Sequence, residues 1–387
     1  MDASARERIV TRLAQEIELP VVLEDAAQQP IAYSPHHDLT DGIRRETILR
    51  RSTSDDVVDH FRPYRLSERE LPFVIPGDAS RDLLARLCVP VRHQDVNLGY
   101  LWILLRRPDA TATQLAAADE ARGALLRSFL AEDRVRASET ETVLDLVVGD
   151  PERAVDALTD VEARATFSPD RGCRVLLCRG QGWEHQAVRA NFWRANWAPA
   201  GQDQLRAATE REGIVVVAAG AQDLDVATAH TALERLQAVS PQGGRLVVGV
   251  GSLVSGPSQA PRSYRQAGLA VRVALSDADL PVASWDQLGT YRYLTQLPRE
   301  LLLDGVDERV QRLVVEAPRL AATAELYVRR AGAITTVADA LHIHRTTLYH
   351  RLQAISRFGL DLSDGRDRTV VDVGLQGLRL LGRWPPP

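Results

Sequence analysis

The chain has 387 residues, enough for two or three domains that each bury a core of their own. All 47 basic residues are Arg, and 52 acidic residues leave a net charge of −5. Three cysteines, Cys88, Cys173 and Cys178, are an odd and sparse set. They argue against a disulfide framework and for reduced thiols packed as small core residues. No stretch approaches about 18 consecutive apolar residues, and MDASARERIV has no apolar segment behind its charges. Neither a membrane span nor a secretory signal is indicated, so the expected location is the cytoplasm.

From the N-terminus, ARERIVTRLAQEI places Ile9, Val10, Leu13 and Ile17 at helical spacing. LPVVLEDAAQQPIAYS then reads as two apolar strands around a polar turn, Asp25 to Gln29. A second strand pair is expected at Leu87–Val91 and Leu98–Leu105, turning at His93 to Asn97. Within this part Phe61, Tyr64 and Trp102 are the aromatics that would stack on a planar ligand, although large aromatics more often fill cores. His36 and His37 beside Asp38 sit in the turn-rich SPHHDLTDG, where neighbouring side chains diverge and no second ligand pair completes a tetrahedral set. No metal site is expected.

Thr113 to about Val148 reads as one nearly continuous helix. Half of its positions at alternating three and four spacing are polar, so a clean coiled coil is not expected; the helix would either connect the parts, packed on its partner in a dimer, or merely pack on the N-terminal sheet. The region Pro151 to Val282 alternates strands with helices: strands at Arg174–Cys178, Ile214–Ala219 and Leu246–Val250, helices at Glu184–Trp197, Asp223–Val239 and Tyr264–Leu275. Such alternation predicts a layered α+β or α/β sandwich. GVGSLVSG, Gly249 to Gly256, has neither the GK[ST] ending nor the GxGxxG spacing of a phosphate loop, and reads as a strand end turning before Pro257. Ser252 and Ser255 have no His and Asp constellation around them. No catalytic set is legible, no cofactor is implied, and an enzyme is not expected.

The C-terminal part is more specific. In Ile334 to Leu362, ITTVADALHIHRTTLYHRLQAISRFGLDL, Val337, Ala338 and Leu341 form one buried helix face and Leu348, Leu352 and Ile355 a second, joined through Ile343 by about three residues. Helices that short are stable only when laid across one another, which leaves the outer face of the second free. That face carries His344, Arg345, Thr346, Thr347, Tyr349, His350 and Arg351, with Arg357 beyond. A merely solvated face would mix Glu with Arg, yet Ile343 through Leu360 contains no acid. From Pro318 onward ten Arg stand against six acids, about +4, leaving about −9 on the other 317 residues. A basic module on an acidic body suits a polyanion such as double-stranded DNA.

HIHRTTLYHRL, followed by an amphipathic helix and GLDL, resembles the C-terminal helix-turn-helix of the PucR/CdaR family of bacterial transcription regulators. The likeness runs from about Trp285 through WDQLGTYRYL and PRLAATAELYVRRAGAITTVA to DGRDRTVVDVGLQGLRLL. Thr346 stands where Asn is usual in the family and His350 where Tyr is usual. REGIVVVAAG followed by GRLVVGVGSLVSG resembles the GGDEF-like domain of the same regulators. The turn Glu210, Arg211, Glu212, Gly213 has one Gly, and Arg where a nucleotide would need close backbone approach, which implies a domain that kept its fold and lost catalysis. In outline the N-terminal part is similar to GAF or PAS sensor domains.

The expectation is thus a multidomain α+β chain: a GAF/PAS-like sensor over 1–112, a linker helix over 113–148, a GGDEF-like domain over 149–284 and an all-α helix-turn-helix domain over 285–387. Its expected function is sequence-specific DNA-binding transcription regulation of bacterial metabolism, as a homodimer or higher homo-oligomer, controlled by a small-molecule or protein signal at the sensor. Arg345, with His344 or Thr346, would read bases in the major groove, while Thr347, Arg351 and Arg357 would meet phosphate. Tyr349 and His350 are left between a backbone contact and packing beneath the neighbouring helix. The alternatives are a nucleotide-binding or nucleotide-processing enzyme built on the central domain, and a helix-turn-helix adaptor that binds another protein.

Overall fold

The computed structural model describes residues 3–26, 28–35, 39–45, 59–163, 167, 172–198, 202–218, 226–240 and 244–385. The chain divides into two units, Met1–Ser138 and Glu139–Pro387.

In the first unit, helix α1 (Ala3–Ile17) precedes strands β1 (Val21–Asp25), β2 (Pro30–Tyr33), β3 (Phe73–Ile75), β4 (Arg86–His93) and β5 (Val96–Leu104), and helix α2 (Ala112–Val148) begins. The strands form one antiparallel sheet in the order β2-β1-β5-β4-β3. Side chains alternate across a strand, and the sequence uses both phases. Leu23, Leu87, Val89, Leu101 and Ile103 pack with Val10, Leu13 and Leu125 on the helix-covered face. Val22, Cys88, Tyr100 and Trp102 pack with Phe61, Leu66 and Ile75 on the other. Gly99 is required where β5 crosses β1, since a Cβ there would lie 2.3 Å from the Glu24 carbonyl oxygen.

This second face also holds charge. The fully buried Asp41 carboxylate accepts from the amides of Arg44 and Leu84 and pairs with the Arg86 guanidinium at 2.5 Å. Glu24 accepts from the Trp102 indole at 2.7 Å. Buried ions are tolerated only when paired and hydrogen-bonded in this way.

In the second unit, the end of α2 and helix α3 (Pro151–Glu162), capped by the Asp150 carboxylate, lead into β6 (Cys173–Gly180), α4 (Gln186–Arg194), β7 (Gln204–Ala208), β8 (Gly213–Ala218), α5 (Val226–Ala238), β9 (Leu246–Val250), α6 (Ala260–Ser276) and β10 (Val282–Ser284). The sheet order is β10-β9-β6-β8-β7, antiparallel except for the β9–β10 pair. Helices α4 and α5 cover one face through Phe192, Leu233 and Leu236. Helix α6 covers the other through Ala267, Ala270 and Val271. Among the described residues the alternating strands and helices expected here are present, with β7 and β10 as additional edge strands.

Helix α6 docks so closely on β9 that side chains are excluded. A Cβ at Gly249 would lie 2.1 Å from the Ala267 carbonyl oxygen, and one at Gly251 2.1 Å from that of Ser263. Gly249 and Gly251 of GVGSLVSG therefore serve helix-on-strand packing.

The remainder is helical: α7 (Tyr291–Leu294), α8 (Arg299–Asp304), α9 (Glu308–Glu316), α10 (Pro318–Arg329), α11 (Ile334–Ala340), α12 (Arg345–Ser356) and α13 (Gly365–Leu380). Val310, Leu313, Ala321, Ile355, Leu360, Val371 and Leu375 share one continuous core with Val271 and Ala274 of α6. Arg379 of α13, 7% exposed, is held between the carboxylates of Asp277 and Glu325, and its burial is offset by those two charges.

Candidate nucleic-acid interface

Helices α11 and α12 pack through a small apolar cluster of their own. Val337, Ala338 and Leu348 are its buried centre, with Leu326, Tyr327, Ile334, Leu341, Ile343 and Leu352 around them. Leu341 and Leu352, expected to be buried, keep part of their surface exposed.

The connection is a hydrogen-bonded stop. The Ile343 amide donates to the Ala338 carbonyl and the His342 amide to that of Asp339, each at 3.0 Å. These are the two bonds of a Schellman ending, which needs a left-handed residue between them. His342 supplies it at φ 52°, a region usually left to Gly. Ile343 then turns back onto the cluster, so the four-residue connection, Leu341 to His344, is fixed at both ends.

His344 starts α12. Its Nδ1 accepts from the Thr346 amide at 3.3 Å and lies 2.9 Å from Thr346 Oγ1. With Nδ1 accepting, the ring proton sits on Nε2, which is left as an outward donor. The first amides of α12 add further donors and a partial positive charge.

Leu348 and Ile355 are buried, and Arg345, Thr346, Thr347, Tyr349, His350 and Arg357 are all exposed. Opposite the buried stripe, Thr346, His350, Gln353 and Arg357 follow one another at spacings of four, three and four, a single outward row flanked by Arg345 and Tyr349. Tyr349 is 56% exposed, so it does not pack beneath a neighbouring helix. Neither Arg345 nor Arg357 pairs with a carboxylate among the described residues, so both guanidinium groups are available to an external anion.

Arg351 differs from its neighbours. It is half-buried, and its Nη1 donates to Thr323 Oγ1 at 3.1 Å, Thr323 being fully buried on α10. The sequence expectation that Arg351 stands wholly on the free outer face is corrected: one arm of Arg351 is engaged inside the bundle, tying α12 to α10. Gln353 was missed because an uncharged residue leaves no mark on a charge pattern.

The other candidates fall elsewhere. Phe61 and Trp102 stack with centroids 5.2 Å apart and are each 3% exposed, while Tyr64 is half-buried at the edge of their cluster. His36, His37 and Asp38 lie outside the described residues. In the Glu210–Gly213 turn between β7 and β8, Arg211 is exposed but Glu212 is buried. Its carboxylate takes the Arg179 guanidinium on one oxygen and the Tyr264 hydroxyl, at 2.8 Å, on the other. Burial and that bond push the Tyr264 hydroxyl up to about 12. A Cβ at Gly213 would meet Phe192 and Trp183 at 2.5 Å, so this glycine answers to side-chain packing.

Residues 320–376 match the PucR C-terminal helix-turn-helix domain, and residues 148–273 match the GGDEF-like domain. The chain is 21% identical to the proline-responsive transcriptional activator PutR of Bacillus subtilis (strain 168), over 95% of each protein. It is 20% identical to the DNA-binding transcriptional activator AdeR of the same organism, over 97% of this chain and 93% of that protein. Among solved structures, a regulator of polyketide synthase expression from Bifidobacterium adolescentis aligns with 64% of this chain and 99% of its own, at 16% identity and a TM-score of 0.28. With a PucR-type helix-turn-helix behind a GGDEF-like domain, the chain is a DNA-binding transcription regulator.

Proposed function

We propose that α12 enters the major groove of double-stranded DNA and reads sequence with its amino-terminal half. The observation that carries this is the outward, acid-free row of donors on a short helix whose opposite face is locked into the bundle. Arg345 is assigned to a guanine edge, where its fork matches two acceptors, and Thr346 and Nε2 of His344 to neighbouring acceptors. Thr347, beside the free amides of the first turn, and Arg357 are assigned to phosphate. His350 and Gln353 lie between these groups, and a Gln amide suits adenine. Arg351 is assigned one remaining arm for phosphate.

One module of this size binds weakly, so a homodimer meeting half-sites about 34 Å apart is the expected assembly. The first unit is read as a GAF/PAS-like sensor, where a planar small-molecule effector would meet Tyr64 beside the Phe61–Trp102 stack. The central domain is read as non-catalytic, because Glu212 is already engaged by Arg179 and Tyr264. In no described residue stretch is a helix long and apolar enough to cross a membrane, in keeping with a cytoplasmic regulator.

Footprinting and titration on the DNA upstream of the protein's own gene test the reading. A protected, sequence-selective site is expected, with affinity falling by about 10³-fold or more between 50 and 200 mM salt if six or more phosphates are contacted. Binding without sequence preference or salt dependence would remove it.

A further inference from the structure

Away from the DNA-reading row, a cleft of about 960 Å³ opens where the end of α6 faces the end of α13. Five arginines line it: Arg179, Arg245, Arg272, Arg299 and Arg379. Two are neutralised locally, Arg179 by Glu212 and Arg379 by Asp277 and Glu325. Among the described residues the other three pair with no carboxylate. Arg245 donates to the carbonyls of Ala274, Leu275 and Asp277, Arg272 to that of Thr295, and Arg299 to that of Leu381. A carbonyl accepts a hydrogen bond but leaves the cation's charge uncompensated. Asp279, exposed, is the one lining carboxylate that pairs with none of them. Arg379 is buried, lines the same cleft, and its Nε has no acceptor among the described residues.

Three uncompensated guanidinium groups around a cavity of ligand size make a favourable site for negative charge. We propose that this cleft binds a compact organic polyanion, either a phosphate ester or a polycarboxylate, held by Arg245, Arg272 and Arg299. The ligand's anionic groups lie against the three forks and its carbon skeleton against the exposed Leu275, which also lines the cleft. The site is separate from the DNA-reading row, and its existence does not depend on the assignment of α12 to the major groove.

Titration calorimetry on the full chain, with inorganic pyrophosphate and citrate as separate probes, tests the proposal. Saturable binding of at least one probe, one per chain, is expected, and the preferred probe tells phosphate from carboxylate chemistry. The pair Arg272→Ala and Arg299→Ala should weaken it at least tenfold, whereas Arg345→Ala should leave it unchanged. Leu275→Glu places a charge in the cleft from an exposed position and should weaken it similarly, which covers the case in which the arginine variants fail to fold. Absence of saturable binding by both probes, or binding that survives Leu275→Glu unchanged, overturns the proposal.

Discussion

At the scale of single residues, Arg345 and Arg357 separate base reading from charge. Both are exposed and pair with no carboxylate among the described residues, yet Arg345 opens α12 and Arg357 caps its end. Arg345→Ala should cost about 1 to 3 kcal/mol on the preferred site and relax discrimination, whereas Arg357→Ala should weaken all sequences alike and flatten the salt slope. Titrations on specific and scrambled duplexes distinguish the two, and equal loss on both duplexes for both variants would reject the division. His342 offers a test of stability. Its left-handed backbone costs an L residue about 1 to 2 kcal/mol, partly offset by the extra chain entropy of glycine in the unfolded state. His342→Gly should therefore stabilise the helix pair by about 0.5 to 1 kcal/mol in denaturant melts, with no change in DNA affinity. The exposed row was legible as donors without acids, but Arg351 was misplaced, because its bond to Thr323 joins residues 28 positions apart that no local pattern connects.

Among elements, α11 and α12 rest on a core so small that one side chain dominates it. Leu348 is fully buried against Val337 and Ala338. Leu348→Ala should destabilise the bundle by about 2 to 5 kcal/mol and abolish DNA binding. The far-ultraviolet signature of the sheets should persist, and a loss of DNA binding without a fall in melting temperature would contradict this. The helix pair was legible because its apolar spacing is regular over 20 residues. Strand β7 was not: QLRAA buries only Leu205 and Ala207 in alternation, too short and too polar a run to stand out. Strand β3 is three residues long and is defined by its pairing with β4. The extent of α6 was underestimated, since Pro261 at its first turn reads in sequence as part of a loop although that position tolerates proline.

For the whole molecule, three tyrosines report on folding at high pH. Burial is the largest influence on Tyr100, Tyr264 and Tyr291, each pushed up to about 12. In the unfolded chain they ionise near 10, so between about 10 and 12 the unfolded state holds fewer protons and is favoured. Their contribution should be complete below pH 10 and fade through pH 12, as followed by denaturant melts alongside tyrosinate absorbance. Constant stability across that interval would show that the hydroxyls ionise freely in the folded chain. The order of parts, from strand-rich N-terminus to all-helical C-terminus, was legible from periodicity and motif. What no periodicity could show is that the C-terminal helices complete the same core as α6, with Arg379 bound to Asp277. That shared core limits how such regulators can diversify. A recombination event that exchanged all the C-terminal helices, α7 to α13, without the central domain would strand the apolar flank of α6 and the Asp277 carboxylate, so a viable exchange of the whole helical part must carry the matching surface of the central domain with it.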